Sequence, residues 1–164
     1  MTARRFLLRF VLAVALFYGI VAVRPVNDAV VEPFTRAIAR AAALPLRAIG
    51  ESVEVSGSIL RSPRFAVSVQ NGCNGIEAMI VLAAAVVAFP AGIRSKFSII
   101  AGGFLIIEAV NLLRVASLFW LGAHHPAAFE TFHAAIWQTA IVILALVIFV
   151  LWSRRNAPRS ANGR

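Results

Sequence analysis

The stretch FSIIAGGFLIIEAVNLLRVASLFWL, Phe97–Leu121, decides the fold. It runs 25 residues with Glu108, Asn111 and Arg114 as its only charged or amide side chains. About 20 helical residues cross a bilayer, so the run predicts a transmembrane helix. The three polar groups fall at successive i+3 steps and share one helix face. An ionisable group at the bilayer centre costs about 3 kcal/mol on insertion scales, so each such group marks a functional-site hypothesis. A structural ion pair made by Glu108, or by Arg114 with Glu77, is the plainer alternative.

Three further apolar segments lie on either side of this run. Phe6–Val23 follows Arg4 and Arg5 and contains Arg9, whose long stem can carry its charge to the headgroups. Ile76–Phe89 is short, and reaches span length if Asn71–Gly75 lies in the interface. Ala134–Trp152 supplies the last. The expectation is an all-α integral membrane protein with about four spans, near 6–23, 75–90, 97–121 and 134–152. They form one membrane-embedded domain over 1–154, followed by a disordered basic tail over 155–164. Composition agrees: 60% of residues are hydrophobic and 14% charged. A soluble domain of this size cannot hide that much apolar surface, so lipid must solvate much of it. The first span could also serve as a signal peptide, but Val21-Ala22-Val23 is a poor cleavage site and an uncleaved anchor is expected.

The formal charge is +9, and 15 of the 16 basic residues are arginine. In a soluble protein that excess would suggest nucleic acid; here its placement fits membrane topology and no nucleic-acid partner is expected. Arg4, Arg5, Arg9, Arg94, Lys96, Arg154, Arg155, Arg159 and Arg164 fall on one side with no acidic residue. The 24–72 loop mixes arginines with Asp28, Glu32, Glu51 and Glu54. The positive-inside rule then puts both termini in the cytoplasm and the long loop outside. Within that loop, Ala29–Ile49 spaces Val30, Phe34, Ile38 and Ala41 as an amphipathic interfacial helix broken at Pro45. Alternating Val53/Val55 and Phe65/Val67/Val69 around Ser-Gly and Ser-Pro breaks predict a small β-hairpin on the outer surface.

The single cysteine, Cys73, excludes an internal disulfide and a C-x-x-C motif. It sits in Gln70-Asn71-Gly72-Cys73-Asn74-Gly75, a polar turn at the start of a predicted helix. Helix N-termini favour anions, including a thiolate, and glycine permits positive φ in a strained turn. A small buried packing group is the other reading of Cys73, and position alone leaves both open. All three histidines lie in HHPAAFETFHAAIWQ. His133 starts the fourth span from the outer side, whereas His124 and His125 occupy the preceding loop. Glu130 and His133, with His124 or His125, make an alternative metal-binding set.

Topology therefore brings Cys73, Arg114 and His133 to the outer ends of the second, third and fourth spans. A thiol nucleophile needs a base, and a tetrahedral oxyanion needs a donor. Cys, His and Arg fill those roles with no cofactor and no metal. The residues alone support a candidate intramembrane thiol acyl-transfer enzyme. A non-enzymatic membrane assembly module, with polar residues joining its helices, is the alternative of a different class.

Three blocks carry a resemblance: NGCNGIEAM, NLLRVASLFWLG and FETFHAAIWQ. In order and placement they resemble the exosortase/archaeosortase family, and most closely its compact exosortase H subgroup. The resemblance implies a membrane transpeptidase or protease with Cys73, Arg114 and His133 as the catalytic set. It also implies substrates exported with a C-terminal sorting signal of motif, transmembrane helix and basic cluster, IPTL-type in this subgroup. The acyl group would pass to an acceptor nucleophile or to water. Asn71, Asn74, Glu77, Glu108 and Asn111 are candidate supporting residues. The larger members carry more spans than this chain, and residues 1–66 carry little of the resemblance. The outer helix and hairpin there are candidates for substrate recognition.

Overall fold

A computed structural model describes residues 2–156 of the chain. It contains α1 (Ala3–Ala22), α2 (Arg24–Val26), a π-helical turn (Asn27–Val31), α3 (Glu32–Ala48), β1 (Glu54–Ser56), β2 (Ile59–Arg61) and β3 (Ala66–Ser68). Then follow α4 (Ile76–Ala88), α5 (Ile93–His124), α6 (Pro126–Glu130), a second π-helical segment (Thr131–Trp137) and α7 (Gln138–Asn156). The protein is an all-α membrane protein with one small sheet. Among the described residues, three helices are long and apolar enough to cross a bilayer: Ala3–Ala22, Ile93–His124 and the continuous Pro126–Asn156. The second expected span is the 13-residue α4. At 1.5 Å per residue it covers about 20 Å of the roughly 30 Å hydrocarbon thickness. The last helix begins at Pro126, earlier than the expected 134, because its first turns are polar enough to mask the apolar pattern. Arg154 and Arg155 occupy the last turn of α7. From residue 157 on, the basic tail expected over 155–164 lies outside the described residues.

Helix α1 buries none of its side chains and packs against α4; Leu7, Leu8, Leu12 and Leu16 are all exposed, which suits a helix bathed in hydrocarbon. Two apolar clusters hold the rest. One joins α4, α5 and α7 through Leu82, Val86, Ile107, Ala145 and Trp152. The other lies at the sheet end of the molecule and joins α3, the sheet and α5 through Ala39, Leu46, Leu60, Val115 and Phe119. Between Ile107 and Val115, α5 presents Glu108, Asn111 and Arg114 to the seam, all buried.

Helix α3 is amphipathic as expected, but its buried stripe is Thr35, Ile38, Ala39, Ala42, Ala43 and Leu46: of the expected face only Ile38 is buried, and Val30 lies exposed in the π turn before the helix. Pro45 does not break it: the helix continues to Ala48. A proline forfeits its own N–H bond and crowds the carbonyl four residues back, and three residues from the end of the helix little remains for either effect to disrupt. Ile49 and Glu51 then donate backbone N–H bonds to Pro45 and Leu46 and close the helix.

The expected hairpin is a three-stranded antiparallel sheet in the order β1-β2-β3. The two valine runs do not pair with each other. Both pair with Ile59–Arg61, placing Leu60 opposite Val55 and Val67. Only four residues, 58–61, lie between the Ser-Gly and Ser-Pro breaks, too few to show alternation. Phe65 anchors the sheet to α5: its ring occupies the space that a side chain at Gly122 would fill, and it packs edge-on against Phe119 and Phe129.

Candidate active site

The chain between β3 and α4 turns sharply at Gly72 and Gly75, which adopt φ of +91° and +83°. A Cβ at Gly75 would collide with the Glu108 carboxylate, so glycine is required there for space as well as for conformation. Polar side chains from three helices fix this loop. Asn74, 1% exposed, donates from Nδ2 to Thr35 Oγ1 at 2.9 Å, and Thr35 donates to the Val31 carbonyl. Asn74 Oδ1 accepts the N–H of Ile76, the first residue of α4, at 3.2 Å. Asn71 donates to Asn27 Oδ1 at 3.4 Å. From α5, Asn111 Nδ2 donates to the Cys73 carbonyl at 3.3 Å. These bonds hold the loop's backbone and leave the thiol to other partners.

Cys73 Sγ is 3.4 Å from His133 Nε2 and 3.8 Å from Arg114 Nη2. The three residues come from the loop, the second π segment and α5, and lie 41 and 60 positions from the cysteine in sequence. Arg114 is 2% exposed. Its guanidinium donates to the Gly72 carbonyl at 3.4 Å and to Gln138 Oε1 at 3.2 Å. No carboxylate forms an ion pair with it among the described residues, in contrast to Arg36, which pairs with Glu32. A buried, permanently charged group with only neutral protein acceptors stabilises negative charge formed beside it, whether on sulfur or on an attached oxygen.

The π-helical register explains how His133 and Gln138 both reach this point. Residues five apart on an α-helix project about 140° apart. The i→i+5 register of a π segment brings them to one face, and such segments occur disproportionately at functional sites. The first π turn contributes similarly, presenting Asn27 to Asn71. Deleting the exposed Thr131 would convert the second π segment toward α register while leaving His133 and Gln138 five residues apart, and so would turn His133 away from Gln138. Loss of thiol–imidazole registration is expected to cost about 10²-fold in thiol-dependent turnover, with normal membrane accumulation. Turnover per unit of inserted protein checks this.

The remaining candidate residues are distributed around the centre. Glu108 is 7% exposed and lies against Gly75, with neither carboxylate oxygen hydrogen-bonded. Glu77 lies beside Gly72 and lines a small cavity with Tyr18, Arg114 and Gln138, on the side of the loop away from the sheet. Neither pairs with Arg114. His124 bonds to Glu51 at 2.6 Å and stacks on Trp120, so it does not join Glu130 and His133. No three His, Cys, Asp or Glu side chains converge as a metal site among the described residues. His133 stacks on Phe129, ring centroids 5.5 Å apart. Gln138, Thr35 and Asn27 are contacts that sequence reading did not select. Thr35 alone left a usable trace, as a polar residue on the apolar face of an amphipathic helix.

A groove of about 610 Å³ opens over the thiol. One wall is the continuous chain from Phe65 to Asn71; the other is Val115, Leu118, Phe129 and Glu130, with Cys73, Arg114 and His133 at its end. Its size suits a short peptide. A family model described as transmembrane exosortase matches residues 2–153. No curated protein and no solved structure matches the chain.

Proposed function

The chain belongs to the transmembrane exosortase family, and we propose that it is a cysteine transpeptidase or protease that removes the C-terminal sorting signal of exported proteins. The observation that carries this reading is the meeting of a thiol, an imidazole nitrogen and an unpaired guanidinium at the end of one groove. In the proposed cycle, His133 Nε2 takes the Sγ proton and the thiolate attacks the scissile carbonyl carbon. The C=O electrons move to oxygen, beside Arg114 Nη2. Collapse of this intermediate breaks the C–N bond, and His133 returns its proton to the departing amine. A thioacyl enzyme remains, and an acceptor amine or water attacks it to free the thiol. Gln138 and the Gly72 carbonyl orient the guanidinium; Asn111 and Asn74 hold the loop.

On this reading the protein resides in the inner membrane of a bacterium, with both termini in the cytoplasm and the groove on the outer side. The substrate's tail is of the IPTL type, as the likeness to the compact exosortase H subgroup suggests. The test uses a reporter bearing such a tail, co-expressed with the protein. Tail removal is expected, and a membrane-impermeant thiol reagent applied from the outer side should stop it by alkylating Cys73, the chain's single thiol. Tail removal that persists after complete labelling would overturn the reading.

A further inference from the structure

We propose that the substrate segment on the N-terminal side of the scissile bond binds as an added β-strand along the free edge of β3, running parallel to it toward Cys73. The proposal rests on the function proposed above and specifies how that site holds its substrate.

Strand β3 ends the sheet and pairs only with β2. Val69 donates to the Ser58 carbonyl at 2.9 Å and Ser62 to the Phe65 carbonyl at 2.8 Å. Because antiparallel pairs alternate, these bonds fix the phase: Phe65, Val67 and Val69 turn their backbone polar groups toward β2. The N–H and C=O of Ala66 and Ser68 therefore point the other way, and both residues are exposed. An unpaired edge is a template for another extended chain. Here the groove wall is that same continuous segment, and it ends at the thiol. Four residues separate Ser68 from Cys73, and the chain between them turns back through the Cys73 N–H to Gln70 carbonyl bond at 2.9 Å. A strand bonded to Ala66 and Ser68 is thus delivered onto Sγ.

The direction follows from the groove's position along α5. Phe65 packs at Phe119 and Gly122, near the end of α5, whereas Cys73 meets Arg114 further down the helix. The separation from Arg114 to Gly122 is about 12 Å along the axis. A tailed substrate has its exported portion before the cut and its membrane helix after it. Entering over Phe65 and descending to Cys73 satisfies both, and that path is parallel to β3. Val67, Val115, Leu118 and Phe129 supply apolar contacts for side chains on the added strand. Backbone pairing accommodates different sequences, which suits an enzyme serving many exported proteins with one short motif.

Ser68→Pro removes one outward N–H and places a ring on the edge without touching a bond to β2. Tail removal is expected to fall about tenfold or more, the worth of a good hydrogen bond plus the obstruction, while alkylation of Cys73 proceeds at the wild-type rate. Unchanged tail removal by Ser68→Pro, alongside normal wild-type cleavage, overturns strand addition and leaves the enzymatic reading standing. Should the proline variant fail to accumulate, Cys73→Ala combined with Ser68→Cys decides, probed with reporters carrying one cysteine at successive positions before the cut. Disulfide trapping that peaks at every second position supports an extended strand; trapping with no such period, or none, overturns it. A wild-type protein that cuts no tailed reporter removes the functional reading itself.

Discussion

Cys73→Ala is expected to reduce removal of an IPTL-type tail to background, by at least about 10⁴-fold, at an unchanged level of membrane-inserted protein. The size of the effect follows from the absence of a substitute. Cys73 is the only thiol in the chain, and in the proposed cycle His133 and Arg114 assist a nucleophile at Sγ and do not replace it. The fold should tolerate the change. The loop takes its shape from Gly72, Gly75, Asn74 and the Asn111 bond to the Cys73 carbonyl, none of which involves sulfur. Alanine removes one partly exposed atom and leaves those contacts in place. Tail removal by gel shift, with insertion measured on the same membranes, checks the prediction. Residual cleavage within tenfold of wild type would make Cys73 a packing residue and end the acyl-transfer mechanism.

Arg114→Lys is expected to lower tail removal by about 10²–10³-fold, as the oxyanion-donor role proposed for Arg114 requires. Charge is conserved, so the loss isolates geometry. The guanidinium uses Nη1 on the Gly72 carbonyl and Nη2 on Gln138 and Sγ. An ammonium on a flexible stem is a single point and cannot span these acceptors. The variant should still insert and still be alkylated at Cys73, because a charge remains in the buried seam. If arginine only joined helices, lysine would instead reduce membrane accumulation and spare turnover per molecule. Measuring both on one preparation separates the two roles. Gln138→Ala should show the same pattern more mildly, since it orients the guanidinium without facing the thiol.

Much of the architecture was readable from hydropathy because lipid imposes a simple rule: a segment in hydrocarbon must be apolar and must satisfy its own backbone. That rule marked Phe97–Leu121 as a membrane helix and made Glu108, Asn111 and Arg114 conspicuous against it. The same conspicuousness singled out Cys73 and His133. At the sheet the rule weakens. Ile59–Arg61 is too short to show a period, so the sequence does not reveal the middle strand, and the two valine runs look like each other's partners when each pairs with it instead. Pro45 misled for a related reason: a local preference was weighed without knowing that the helix was ending anyway.

The sequence by itself determined that the chain lives in a membrane, which helices are apolar, and which few polar residues need a reason to be there. Each of those follows from composition along the chain. Tertiary structure decided what sequence spacing cannot encode: that residues 41 and 60 positions apart meet at one sulfur atom, that a π segment turns His133 and Gln138 to one side, and that Arg114 is not paired with Glu77 or Glu108. Helical phase is lost at every loop and altered by every π turn. Side chains from different helices therefore share a site only through packing, and packing is a property of the folded bundle.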